Sequence, residues 1–173
     1  MTPEEPVPSL RILKTLEAVA LRDLRHRAIR EIPEAFGTPP AIELAKSAMH
    51  YRRQLLRMGI DRGELLLGLW RERDLLGMVG LGRRDKPGGL HGLIYSMYLL
   101  PELRGQGWGR RLLEEAEHRM RSLWQIERFE LCVEVNNLPA RRLYESAGFR
   151  ILRTEPNAFA IEGRPHDVYR MGK

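Results

Sequence analysis

The sequence has one cysteine, Cys132, among its 173 residues. A lone thiol excludes an internal disulfide framework and a cysteine-based metal cluster. Its place in a strand-like run makes it a small, partly buried filler. Long apolar runs are missing too. No stretch reaches the ~18 residues a membrane helix needs, and the first residues lack the apolar segment of a secretion signal. These absences set the expectation of a cytoplasmic protein with no membrane partner and no metal. Lysine is confined to Lys14, Lys46, Lys86 and Lys173, so the formal charge of +6 rests on scattered arginines. No basic run interleaved with aromatics appears, which argues against nucleic acid and leaves a small polyanion as the simpler partner. Repeats, low-complexity segments and linkers are absent as well. Residues 1–9, with three prolines, read as a loose arm. Residues 10–173 read as one domain, long enough to bury a core.

What is present is organised around residues 93–124. An apolar strand (Leu93, Ile94, Tyr95, Met97, Tyr98, Leu99, Leu100) runs into Pro101-Glu102-Leu103 and then Arg104-Gly105-Gln106-Gly107-Trp108-Gly109. Glycine at every second position strips side chains from a turn and exposes N–H groups at a helix start. Those donors, the helix dipole and flanking Arg104, Arg110 and Arg111 make a site for a phosphorylated ligand. In the helix that follows, Leu112, Leu113, Ala116, Met120, Leu123 and Trp124 form one apolar stripe. Glu114, Glu115, Glu117, Arg119 and Arg121 take the other face, with Glu115–Arg119 and Glu117–Arg121 in the favourable i,i+4 order. A Walker A loop would need Lys-Ser/Thr after its last glycine, where this chain has Arg110-Arg111. A dinucleotide fingerprint would need GxGxxG after the first strand. Neither fits.

In chain order, 10–14 is an edge strand. Thr15 caps a helix to about Ile32 with Leu16, Ala20, Leu24 and Ala28 on one face, and Pro33 stops it. A turn containing Phe36 leads to a second helix over 41–58. Residues 64–70 and 75–81 form a hairpin, and 82–89 is a charged, Gly- and Pro-containing loop into the organising strand. Residues 129–135 alternate: Phe129, Leu131, Val133 and Val135 one way, Glu130, Cys132 and Glu134 the other. Asn137 caps a short helix with Pro139 in its first turn and Gly148 beyond its end. Strands over 149–153 and 167–171 finish the chain, with a long connection between them. The strand–helix–strand unit over 93–135 requires a right-handed parallel crossover.

The pattern Arg104-x-x-Gly107-x-Gly109 resembles the pyrophosphate-binding motif of the GNAT superfamily of acetyl-CoA-dependent N-acetyltransferases. A second segment, Asn137-Leu138-Pro139-Ala140-Arg141-Arg142-Leu143-Tyr144-Glu145-Ser146-Ala147-Gly148-Phe149, resembles that family's Asn-x-x-Ala…Leu-Tyr-Glu…Gly-Phe. The resemblance covers 65–149 well and the rest more loosely. It implies an α/β fold with a mixed sheet of about seven strands and four helices, splayed between strands 4 and 5, where acetyl-CoA inserts. It implies backbone hydrogen bonds to the pantetheine from Met97, Tyr98 and Leu99, often at a bulge. It also implies contacts to the cofactor from Arg104, Gly105, Gln106, Gly107, Trp108, Gly109, Arg110, Asn137 and Tyr144.

Acetyl transfer to an amine needs a polarised thioester carbonyl, a deprotonated amine and a proton for the departing thiolate. An alkylammonium of pKa ~10.4 is free amine in only roughly one molecule in 2,500 at pH 7, so a base or water relay helps. The resemblance gives carbonyl polarisation to an N–H near Leu99 and the acid role to Tyr144. Some relatives carry a glutamate where Leu93 stands here. For the base three alternatives stay open: Glu134, first because it is nearest the splay, with Glu130 on the same strand face; His91; or a water chain. Phe36, Tyr95, Glu155, Asn157 and Phe159 are expected to wall the acceptor pocket. The expected partner is a small-molecule amine or a peptide acceptor, an N-terminus or lysine, and exposed apolar edges leave a homodimer open. An acyl-CoA-binding module without transferase activity is the alternative; the missing carboxylate at 93 favours it and Tyr144 opposes it.

Overall fold

The computed structural model describes residues 6–173. The arm expected at 1–9 falls partly outside them; residues 6–8 carry no regular structure and Ser9 already opens a strand. Among the described residues seven strands form one sheet: β1 (Ser9–Ile12), β2 (Glu64–Arg71), β3 (Asp74–Lys86), β4 (Gly89–Leu99), β5 (Arg128–Glu134), β6 (Arg150–Ile161) and β7 (Arg164–Gly172). Their order is β1-β2-β3-β4-β5-β7-β6. Every neighbouring pair is antiparallel except β4–β5, which is parallel. A parallel pair needs a long crossover, and α4 (Trp108–Trp124) supplies it. The remaining helices are α1 (Ala18–Glu31), α2 (Pro40–Leu44), α3 (Ala48–Arg57) and α5 (Leu138–Ser146).

β2 is buried continuously from Leu65 to Trp70, as a strand covered on both faces should be. Against the sheet α4 buries Leu112, Leu113, Ala116, Met120 and Trp124, the stripe its sequence predicts. Leu123 is only partly buried. Glu117, expected on the solvent face, is 3% exposed. It pairs with Arg121 (3.2 Å) and with Lys173 (3.0 Å), whose own backbone is bonded to Phe129. The pair at Glu115–Arg119 forms as expected, at 2.6 Å.

Among the described residues five helices replace the expected four. The helix over 41–58 is interrupted at 45–47, where Ser47 is extended and α3 begins again behind it. The first helix starts with a 3-10 turn, Thr15–Glu17, and Glu17 rather than Thr15 satisfies its head by accepting the Lys14 N–H at 2.7 Å. That turn shifts the helical phase: Ala18, Leu21, Leu24, Ala28 and Ile29 are buried, while Leu16 is exposed. The loop over 82–89 is instead the continuation of β3 and β4 into a tight hairpin. The long connection near the C-terminus is likewise a hairpin. β6 runs on to Ile161, with an irregularity between Glu155 and Phe159 where Pro156 cannot donate to the ladder and Asn157 takes a φ of 50°.

Behind the sheet, the carboxylate of Glu43 on α2 is 1% exposed. It accepts from Arg25 Nε (3.0 Å), Lys46 Nζ (2.6 Å) and Tyr51 Oη (2.6 Å). Burial alone would raise its pKa, but hydrogen bonds from Lys46 and Tyr51 and the nearby Arg25 charge outweigh it and hold the carboxyl at about 2, against an ordinary 4.5. A carboxyl depressed on folding contributes stability above its unfolded pKa and loses it as pH falls through the folded one. Glu43→Gln is therefore expected to cost about 3 kcal/mol at pH 7. It is also expected to flatten the decline of unfolding free energy between pH ~4.5 and ~2. Urea denaturation at several pH values checks both.

Candidate active site

The β4–β5 pair is short. It runs from His91↔Arg128 to Ile94↔Leu131 and then stops, although β4 continues to Leu99 and β5 to Glu134. Past that point the two strands separate around a cleft of about 800 Å³. The divergence coincides with a bulge. Between Gly80↔Tyr95 and Met78↔Tyr98, β3 advances two residues while β4 advances three. The extra residue is accommodated at Ser96, whose φ is 51°. A left-handed serine inside a strand is costly, and this one is pinned: Arg25 Nη1 donates to Ser96 Oγ at 3.2 Å. Arg25 is itself fixed by Glu43 and lies 4.5 Å over the Phe36 ring. Beyond the bulge the Leu100 N–H bonds Leu76 O on β3. Strand N–H groups alternate in direction, so that of Leu99 faces the cleft.

At one end of the cleft stands the glycine turn. Gly105 (φ 72°) and Gly107 (φ 82°) are left-handed, and a Cβ built on either would meet nothing within 4 Å. The open space is where a ligand can approach the main chain. The Arg111 N–H reaches Gly107 O (3.1 Å), so the N–H groups of the preceding turn have no intrahelical acceptor and carry the positive end of the α4 dipole. Gly109 sits against Leu143 of α5. The arginines are more committed than their sequence suggests. Arg104 forks onto Leu99 O (2.9 and 3.1 Å) and pairs with Glu31 (2.6 Å), tying the turn to the end of β4. Arg110 bonds Glu114 and Ser146 O, and Arg111 packs over Trp108. Gln106 bonds Glu102 O.

Along the cleft wall Asn137 caps α5 by accepting the Ala140 N–H at 3.2 Å. That helix presents Tyr144, 8% exposed, with its hydroxyl 3.8 Å from Met97 Sδ. Burial pushes the Tyr144 phenol up to about 12, so it holds its proton at neutral pH. Tyr98 also lines the cleft, and its hydroxyl donates to Glu31 at 2.6 Å. Cys132 lines the cleft and is exposed there instead of filling a gap.

Glu134 (5% exposed) accepts the Asn136 N–H (2.8 Å) and the Asn136 side-chain amide (2.9 Å). His166 Nδ1 stands 3.4 Å from Glu134 Oε1, and its ring stacks on Phe159, centroids 5.1 Å apart and 9° from parallel. All of Glu134, Asn136 and His166 line the cleft, together with Ile32, Glu34 and Ala35. No sequence signal marked His166; it depends on the irregular β6–β7 hairpin. His91 and Glu130 are instead paired with each other (2.8 Å), and Glu130 also with Lys86 (2.5 Å), outside the cleft lining. Of the expected acceptor wall, Tyr95 lines the cleft and Phe159 reaches it through His166. Phe36 packs under Arg25 and beside Tyr98, Glu155 is held by Arg170 and Arg153, and Asn157 donates its N–H to Asp167.

The site is thus a mixed sheet opened beside its parallel β4–β5 pair, with a glycine-headed helix at the end of the opening. The profile described as the Acetyltransferase (GNAT) family matches residues 20–149, and the chain belongs to that family. A mycothiol acetyltransferase of Propionibacterium freudenreichii subsp. shermanii is 30% identical over 111 residues, which is 64% of this chain and 35% of that protein. The chain thus spans about a third of that relative's length. Among solved structures, the ribosomal-protein-S5-alanine acetyltransferase of Vibrio fischeri superposes with a TM-score of 0.84 at 15% identity, over 98% of this chain and 94% of that one. The spermidine N-acetyltransferase of Vibrio cholerae, solved with CoA and spermine, gives 0.79 at 23% identity, over 96% and 94%. At these identities the structural likeness speaks to fold.

The pinned bulge yields a test. Ser96→Val places a β-branched residue at positive φ and is expected to cost about 2 kcal/mol. Ser96→Gly relieves the backbone while losing the Arg25 hydrogen bond, two effects of about 1 kcal/mol each, and should leave stability nearly unchanged. Denaturant unfolding of both variants measures the difference.

Proposed function

We propose that this protein transfers the acetyl group of acetyl-CoA to a primary amine, that of a small molecule or of a protein N-terminus or lysine, with both substrates bound together. The observation that carries this reading is the open space over Gly105 and Gly107 at the head of α4, continuous with the β4–β5 opening. A diphosphate fits there because left-handed glycines leave main-chain donors uncovered. The residues from Met97 to Leu99 offer an unpaired strand edge to an extended pantetheine arm. Acetyl-CoA, when bound, supplies an activated thioester.

The chain's own groups then have separable tasks. The Leu99 N–H, held in direction by the Arg104 fork on Leu99 O, is placed to stabilise charge growing on a carbonyl oxygen. The phenol of Tyr144 keeps a proton for the departing sulfur. Asn137 fixes the start of the helix that presents Tyr144. The Glu134 group at the far end, with its carboxylate on the cleft, holds the base function and favours a cationic acceptor. Bringing amine and thioester into line contributes several kcal/mol by positioning alone. The structural relatives include acetyltransferases named for spermidine and for a ribosomal-protein alanine, so both acceptor classes belong in the first screen.

Two variants test this assignment. Gly107→Glu puts bulk and negative charge where the diphosphate would lie and is expected to abolish CoA binding; unchanged affinity by calorimetry contradicts the placement. Tyr144→Phe should lower the turnover number at least ~100-fold while CoA affinity stays within about twofold. Wild-type turnover, read as free-thiol release against a panel of amines, would remove Tyr144 from the acid role.

A further inference from the structure

We propose that His166 Nε2 is the atom that takes the proton from the acceptor amine, and that Glu134 acts through it as a positioning residue. This rests on the N-acetyltransferase reading above and divides the base function between two residues. Glu134 has a crowded carboxylate. Oε2 accepts the Asn136 N–H, and Oε1 is shared by the Asn136 amide and His166 Nδ1. Accepting another proton there would set it against three donors already in place. His166 is different. Its Nδ1 faces Glu134, its ring is clamped flat against Phe159, and its side chain stays 21% exposed on the cleft. With the proton held on Nδ1 by the carboxylate, the lone pair lies on Nε2. That is the arrangement in which a carboxylate fixes an imidazole's tautomer and ring direction.

The choice of base also matters. An imidazole is by type a stronger base than a carboxylate, which suits it better to accept a proton from an ammonium. Charged groups near the ring include Glu134 on β5, Asp167 beside it on β7 with its carboxylate on the Asn157 N–H, and Glu34 in the lining of the same cleft. From β6 the packing group is neutral Phe159. The proton balance closes. The acceptor ammonium gives one proton to His166 Nε2, which passes it to water. The freed nitrogen pair forms the bond to the carbonyl carbon, and the C–S pair leaves on sulfur. Sulfur takes the Tyr144 proton, and the nitrogen's second proton restores Tyr144.

The bulge between Glu155 and Phe159 is what makes this possible. It brings Phe159 opposite His166, where a regular ladder continued from Glu155↔Val168 would pair His166 with Asn157.

Two measurements decide the matter. In the intact protein, ¹⁵N–¹H correlation of the neutral imidazole is expected to show the proton of His166 on Nδ1, and Glu134→Ala is expected to abolish that preference. A proton on Nε2 in the wild type overturns the proposal without any activity assay. In free-thiol assays with spermidine and with an alanine-initiated peptide, His166→Gln should keep CoA affinity, lose at least ~100-fold in turnover and lose the acidic limb of the pH–rate profile. Glu134→Gln should keep that limb with turnover reduced about tenfold. If Glu134→Gln removes the limb and His166→Gln leaves it, Glu134 is the base and the proposal fails. If the wild type transfers to neither amine nor to any in a wider panel, the N-acetyltransferase reading itself falls, whatever the tautomer.

Discussion

The length of the β4–β5 pairing governs the rest of this molecule. Four register positions hold the two strands together, and their continuations then part. Everything attributed to the site is a consequence of that stop. The bulge at Ser96 turns β4 out of register with its neighbour, and α4 starts at one end of the gap. α5 and the β6–β7 hairpin furnish the other wall. Had β5 stayed paired through Glu134, the Leu99 N–H would be spent inside the sheet and Tyr144 would face a closed surface.

The opening is kept by structure remote from it. A chain of contacts runs from Glu43, through Arg25, to the left-handed Ser96. A second runs from Glu31 through Arg104 to the end of β4. Both begin on or beside the first two helices and end on the strand edge that borders the cleft. Burial tends to raise the Glu31 carboxyl, yet hydrogen bonds from Arg104 and Tyr98 bring it below its ordinary value. The anionic anchors are thus charged at neutral pH, and the arginines that reach the strand are oriented by them. The result is a graded cleft, with main-chain donors and a helix dipole at one end and the Glu134 carboxylate at the other.

Much of this was legible in the order of residues. The glycine turn, the apolar stripe of α4 and the Asn137 cap are local patterns, and each forms where its spacing places it. What escaped is what depends on partners distant in sequence. Leu16 has helical spacing to Ala20 but lies exposed because a 3-10 turn rotates the phase before α1 begins. Pro156 and Gly163 look like loop punctuation, yet they are a strand irregularity and a tight turn within one hairpin. Because that hairpin was not visible, neither was the meeting of His166 with Glu134. His91, expected after Glu134 as a base from its place on β4, is drawn off by Glu130 on the paired part of the sheet. Glu117 reads as a surface partner of Arg121, and its second partner, Lys173, is fifty-six residues away.

The only thiol of the chain stands on the wall of the same cleft. Although Cys132 is open to it, the surroundings withhold enough water to push the thiol's pKa up, and the negative charges of Glu155 and Glu130 add to that against the opposing Arg170. A sulfur kept as S–H is a poor nucleophile. An acyl group held along this wall would meet a sulfur in its protonated, weakly nucleophilic form.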